Sequence, residues 1–115
     1  MKKYKPLIIS IIILLVLGLL IAWGQINKKP AMILFYGDGC PHCENVAEYI
    51  EQNNIKDKYQ FQELEVYNNK QNAQLMARKA KGCGLDTSQG IGVPFLFDGQ
   101  NCLLGDQDII NFFSK

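Results

Sequence analysis

The sequence has no acidic residue before Asp38, no internal repeat and no low-complexity segment. It also lacks any motif for ATP, a nucleotide or a phosphate, so nothing supports a repeat architecture or nucleotide-driven chemistry. Its 115 residues leave room for one small domain and little else. The early lack of acid is matched by five lysines, Lys2, Lys3, Lys5, Lys28 and Lys29. From Ala31 onward seven basic residues face eleven acidic ones, a net of −4. The overall charge of +1 therefore hides a basic N-terminal segment and a mildly acidic domain. Once the lysines beside the apolar run are set apart no basic face remains, which excludes nucleic acid as a partner.

Residues 7–23 form an apolar run of 17, interrupted only by Ser10 and Gly18. That is at the lower limit for crossing a bilayer as a helix, which takes about 17–25 residues. Lys2, Lys3 and Lys5 lie on the side expected to stay in the cytoplasm, so the C-terminal part is expected outside. Trp23 suits the membrane interface. A cleaved signal is the competing reading, because Ala22-Trp23-Gly24 has small residues where a signal peptidase prefers them. The run exceeds the roughly 7–15 residues of a usual signal core, which favours a retained anchor. A soluble core helix fits poorly, since the run is apolar on every face. The expected division is a cytoplasmic stub and anchor over 1–24, a linker over 25–30 and a domain over 31–115. Six linker residues span at most roughly 20 Å, so a retained anchor keeps the domain and its partners near the membrane.

In the domain, Ala31-Met32-Ile33-Leu34-Phe35-Tyr36 reads as a strand buried on both faces. Gly37-Asp38-Gly39 breaks it. A helix follows, with Pro41 in its first turn and Cys43, Val46, Ala47 and Ile50 on one face. Residues 59–66 alternate as a second strand through Phe61, Leu64 and Val66. Asn68 or Asn69 caps a second helix carrying Ala73, Met76, Ala77 and Ala80, stopped by Gly82. Residues 82–92 hold four glycines and read as loop. Pro94-Phe95-Leu96-Phe97 and Asn101-Cys102-Leu103-Leu104 form a hairpin around Asp98-Gly99. Asp106 is placed to cap a last helix carrying Ile109, Ile110 and Phe113. The order β-α-β-α-β-β-α predicts a parallel first strand pair with a right-handed crossover and an antiparallel final pair.

The chemistry points to Cys40-Pro41-His42-Cys43. Cys40 stands at the helix start, where unpaired N–H groups and the helix dipole favour an anion. Thiols so placed have pKa values lowered to about 3.5–7.5. Cys43 falls on the buried stripe, which makes it the inner, resolving thiol. His42, the single histidine, can bond to the Cys40 thiolate and so favour the reduced form, making the disulfide a stronger oxidant. Against these stand an exposed, idle His42 and half of a zinc knuckle. Cys83 and Cys102 are 19 apart and form no second knuckle, so no metal is expected.

The chain resembles the thioredoxin superfamily across residues 31–115. The resemblance rests on Phe35-Tyr36-Gly37-Asp38-Gly39-Cys40-Pro41-His42-Cys43 and, 54 residues after Cys40, on Gly92-Val93-Pro94. It implies an α/β, thioredoxin-like fold with a central mixed four-stranded sheet, preceded here by one transmembrane helix. It further implies that Pro94 is cis and packs against the disulfide, and that Val93, with Gly92 beside it, meets an extended substrate. The dipeptide Pro41-His42 is similar to that of exported disulfide donors of the DsbA type, while length and order are closer to glutaredoxin. Gly105-Asp106 with Asp108 is similar, at imperfect spacing, to the glutathione-contacting turn of glutaredoxins. Two departures stand out. Gly39 replaces the Trp common before the first cysteine and is expected to expose Cys40. Leu34 occupies the place of a buried acid that helps deprotonate the inner thiol, which favours an oxidant.

In that fold Cys83 and Cys102 can approach one sheet edge. An even cysteine count in an oxidising compartment favours a structural Cys83–Cys102 disulfide beside Cys40–Cys43, over two free thiols or a second redox pair relaying electrons. The expected function is donation of disulfides to exported proteins through a redox-active Cys40–Cys43 disulfide, with no other cofactor and with a membrane-tethered thiol reductase as the alternative. Its partners are then protein thiols and disulfides, and a membrane redox partner. That partner is either a quinone-linked reoxidase of the DsbB or vitamin K epoxide reductase-like kind, or an electron carrier feeding a reductase of thiol maintenance or cytochrome c maturation. The expected location is the cell membrane, single-pass, with the domain on the extracytoplasmic side. A redox-inactive or zinc-stabilised binding module is the reading from another class.

Overall fold

The computed structural model describes residues 2–26 and 31–115. The N-terminal run is helix α1 (Lys5–Ile26). Its segment Lys5–Gln25, 21 residues, is long and apolar enough to cross a membrane and is not buried against the described chain. At 1.5 Å per residue it spans about 30 Å, the thickness of a hydrocarbon core. A core helix of a soluble domain would be covered, whereas Leu14 and Leu19 are each 69% exposed. α1 includes Gln25 and Ile26, expected in the linker, and the rest of that linker, 27–30, lies outside the described residues.

The domain runs β1 (Met32–Tyr36), α2 (Pro41–Gln52), α3 (Ile55–Lys58), β2 (Phe61–Glu65), α4 (Lys70–Gly82), β3 (Phe95–Phe97), β4 (Cys102–Leu104) and α5 (Asp106–Phe113). The sheet order is β2-β1-β3-β4. β1 pairs parallel with β2 in the register Met32 to Phe61, and antiparallel with β3 in the register Leu34 to Leu96. β3 and β4 close the hairpin, with the Asp98 carboxylate accepting the N–H groups of Gln100 and Asn101 at 2.8 and 2.6 Å.

β1 is central, and its alternation divides the core. Leu34 points into a cluster with Val46, Ile50, Ile55, Leu96, Ile109 and Phe113, beneath α2, α3 and α5. Ile33 and Phe35 point the other way, joining Val66, Met76, Ala80 and Phe95 beneath α4. An unbroken apolar run is what a strand covered on both faces requires. β2 also serves both faces, with Phe61 packing on the first cluster and Leu64 on the second.

Three details differ from expectation. α3 interrupts the α2–β2 connection: Asn54 turns left-handed at φ 51° and Ile55, 1% exposed, plugs the core. Ala47 is exposed and Tyr49 takes the place beside Ile50 in the core. The N-cap of α5 is Gly105, at φ 87°, and Asp106 is the first helical residue. Asn69 does cap α4, accepting the Asn72 N–H at 3.1 Å.

Cys83, at the C-cap of α4, and Cys102, on edge strand β4, form a disulfide with Cα atoms 6.2 Å apart. It ties a helix to the short outer strand and closes a loop of sequence separation 19. Closing such a loop removes unfolded-state entropy worth about 3 kcal/mol. Replacing both cysteines by serine is expected to lower unfolding free energy by about that much in urea titrations. A structural role also requires the variant to retain thiol exchange at Cys40–Cys43, whereas a relay requires that exchange to fail.

Candidate active site

The site lies where β1 ends and α2 begins. Cys40 is the N-cap of α2, with extended backbone at φ −84° and ψ 116°. Its sulfur accepts the Cys43 N–H at 3.3 Å, so the thiol itself does the work usually done by Ser or Asp. Pro41 occupies the first helical position, where its missing N–H costs nothing. Gly39, at φ 76°, supplies the left-handed residue of the turn, and the Cys40 N–H closes it on the Gly37 carbonyl at 3.2 Å.

Cys40 and Cys43 are both free thiols, 7% and 6% exposed. Burial pushes the Cys43 thiol up to about 12, and its contact with Cys40 adds to this. The Gly37 N–H, 3.5 Å from the Cys43 sulfur, works in the other direction. The expectation that Gly39 exposes Cys40 is not met. The Val93 carbonyl faces the Cys40 sulfur at 3.8 Å, and Tyr67, from the β2–α4 loop, stands over Gly37, whose carbonyl bonds the Cys40 N–H.

The Val93–Pro94 peptide is cis, and Pro94 is buried at the foot of β3. Its carbonyl accepts the Gly105 N–H at 3.0 Å, joining this loop to the start of α5. Gly92, beside Val93, is exposed.

His42 does not meet the sequence reading. Its Nδ1 bonds the Asp106 carboxylate at 3.0 Å rather than the Cys40 sulfur. The same Asp106 oxygen accepts the Asn45 side-chain N–H at 2.9 Å. These two bonds, Asn45 first and His42 second, hold the Asp106 carboxyl down to about 2. Asp106 is 64 residues from His42, and no local pattern announces the pair. Leu34, at the expected place of an acid, is buried 4% exposed in the core. An open cleft of about 290 Å³ reaches Cys43 between β1 and α2, past Leu34, Gly39, Glu44 and Glu63. No cluster of metal-ligating side chains is found among the described residues.

No family model and no curated protein matches the chain. Among solved structures it is similar to a disulphide isomerase of Xylella fastidiosa Temecula1. That likeness is 19% identity and a TM-score of 0.44, over 81% of this chain and 82% of that one. It is also similar to the C-terminal domain of DsbD from Neisseria meningitidis, in the reduced form. Here identity is 24% and the TM-score 0.46, over 81% of this chain and 85% of that one. The fold expected from the sequence, α/β with a central mixed four-stranded sheet, is met by the strand pairings themselves. The order β2-β1-β3-β4, with one parallel and two antiparallel pairings and helices on both faces, is its architecture in this chain. The roles of individual residues rest on the geometry of the site.

The Asp106 bonds imply an acid-side pH dependence. A carboxyl at about 2 when folded, against an ordinary 3.8, stabilises the domain fully above the ordinary value. That contribution is lost as pH falls through about 2. Asp106→Asn is expected to lower stability at pH 5 and to flatten the decline between pH 4 and 2, read from urea unfolding at each pH. An unchanged acid limb would show that the pair adds nothing.

Proposed function

We propose that this protein is a membrane-tethered thiol–disulfide oxidoreductase that donates disulfides to exported proteins through Cys40 and Cys43. The observation that carries this reading is the placement of Cys40 as the N-cap of α2 with buried Cys43 one turn behind it. Cys40 receives the Cys43 N–H at 3.3 Å, while the Cys43 thiol stays protonated, pushed up to about 12 by burial. The N–H bond to the Cys40 sulfur supports the reduced pair. Stabilising the reduced pair makes its disulfide the better oxidant. A reductase needs Cys43 as a thiolate to resolve a mixed disulfide, and Leu34 offers it no base.

In the proposed cycle a client thiolate attacks Cys40 of the Cys40–Cys43 disulfide. A client–Cys40 disulfide forms, and Cys43 leaves as a thiolate toward the Gly37 N–H and takes up a proton. A second client thiolate then attacks the client sulfur and expels Cys40. The client gains a disulfide and gives up two electrons, which the enzyme now holds as its dithiol. A membrane quinone-linked reoxidase takes those electrons and restores the Cys40–Cys43 disulfide.

Val93 and cis-Pro94 are assigned to client binding. The Val93 carbonyl already faces the Cys40 sulfur, and an extended client segment laid along this backbone would present its own sulfur there. Gly92, exposed beside them, leaves that approach open. The role of His42 is indirect in this reading, because Asp106 holds its ring. The apolar α1 and the lysines before it support an extracytoplasmic domain with α1 kept as the anchor.

The test is oxidation of a reduced two-cysteine peptide by the oxidised full chain in detergent. The peptide is expected to emerge disulfide-bonded, with Cys40→Ser at background. Cys43→Ser is expected to accumulate a mixed disulfide on Cys40. A peptide left reduced, or trapped on Cys43 in a Cys40→Ser chain, would overturn the proposal.

A further inference from the structure

Tyr67 is 61% exposed, yet its ring has a defined seat. A β-carbon at Gly37 would collide with Cε2, Cζ and Cδ2 of Tyr67, so the hydroxyl end of the ring rests directly over the Gly37 backbone. Only glycine leaves that space at the position where β1 opens into the active-site turn.

Glu65 holds the arrangement together. Its Oε2 accepts the N–H of Tyr67 at 2.9 Å and the N–H of Asp38 at 2.9 Å. Its Oε1 accepts the N–H of Asn68 at 2.6 Å. One carboxylate thus locks the loop before Cys40 to the loop that carries Tyr67. Burial works against its charge, but the N–H groups of Asn68, Asp38 and Tyr67 outweigh that and hold the carboxyl below its usual range.

We infer that Tyr67 is a third member of the dithiol centre, a phenol seated on Gly37 that donates its hydroxyl proton to the Cys40 thiolate and covers that sulfur. This accounts for a Cys40 only 7% exposed although a glycine precedes it. The phenol is itself pushed up, by burial first and then by its cysteine and Glu65 neighbours, so it remains a donor across the working pH range. The charged and titratable groups around the dithiol are Tyr36, Asp38, His42, Cys43, Glu44, Glu63, Glu65, Tyr67 and Asp106. Among these, Asp106 is bonded to His42 and Glu65 to backbone N–H groups.

The inference deepens the proposed function by naming what stabilises its attacking thiolate, but its test needs only a thiol at Cys40. That test is the pH profile of Cys40 alkylation by iodoacetamide, in the reduced full chain in detergent, read by mass spectrometry. Tyr67→Phe removes one oxygen from a mostly exposed ring and leaves the packing. It is expected to move the profile to higher pH and to slow alkylation at pH 6 roughly tenfold, as loss of a hydrogen bond to a charged sulfur should. The same tenfold preference, lost from the reduced form, lowers the reduction potential by about 30 mV. Gly37→Ala pushes the ring off its seat and is expected to shift the profile in the same direction. In a Tyr67→Phe background Gly37→Ala is expected to add no further shift, because no hydroxyl is left to displace. A Tyr67→Phe profile that coincides with the parent, or moves to lower pH, would overturn the inference. So would additive shifts in the double variant. Failure of peptide oxidation with these shifts intact would count against the disulfide-donor reading alone.

Discussion

The site depends on one interaction, the bond from the Cys43 N–H to the Cys40 sulfur. A helix start leaves N–H groups without partners, and an oxygen from Ser, Thr or Asp usually receives one of them. Here a sulfur does so at 3.3 Å. The need of α2 for a cap is met by the same sulfur that the proposed exchange uses. Everything that fixes the start of α2 also fixes the reactive atom: Pro41 at the first helical position, the Gly37–Cys40 turn and the burial of Val46 and Ile50 in the core.

Around this point four separate stretches of chain are tied to one another by three sets of polar bonds. Glu65 binds the loop before Cys40 to the loop after β2. Asp106 binds His42 and Asn45 of α2 to the start of α5. The Pro94 carbonyl binds the Val93–Pro94 loop to Gly105. The bonding carboxylates are partly exposed, so each link taken alone is worth little. Their effect is geometric: they set which groups face the two sulfurs, over a sheet whose position the packing of β1 already determines.

What the sequence made legible follows from range. β1, α2, α4 and the β3–β4 hairpin are written in local signals: an unbroken apolar run, a helical stripe after Pro41, Asn69 as a cap and Asp98-Gly99 as a turn. Cys40, Cys43 and Pro94 stood out because their spacing is carried by the chain itself. The signals that failed were those needing a partner from afar. His42 reads as a companion of Cys40 until Asp106, 64 positions away, is brought to its ring. Gly39 reads as exposing Cys40 until the Val93 carbonyl, 53 positions away, is brought to its sulfur. A four-residue helix such as α3 has too few positions for periodicity to register, and only the burial of Ile55 explains it. A glycine before Tyr67's seat gave a usable hint only once the fold had set the two side by side.

The central claim is that the environment of Cys40 and Cys43 favours the dithiol strongly enough for the pair to donate its disulfide. The most direct measurement is the reduction potential of that pair in the full chain in detergent, with Cys83–Cys102 intact. It would be read by equilibration in glutathione buffers, alkylation and mass spectrometry. A value of about −180 mV or higher is predicted, in the range of disulfide-donating and isomerising centres. A value near about −270 mV, that of thioredoxin, would contradict the account and make the protein a tethered reductase.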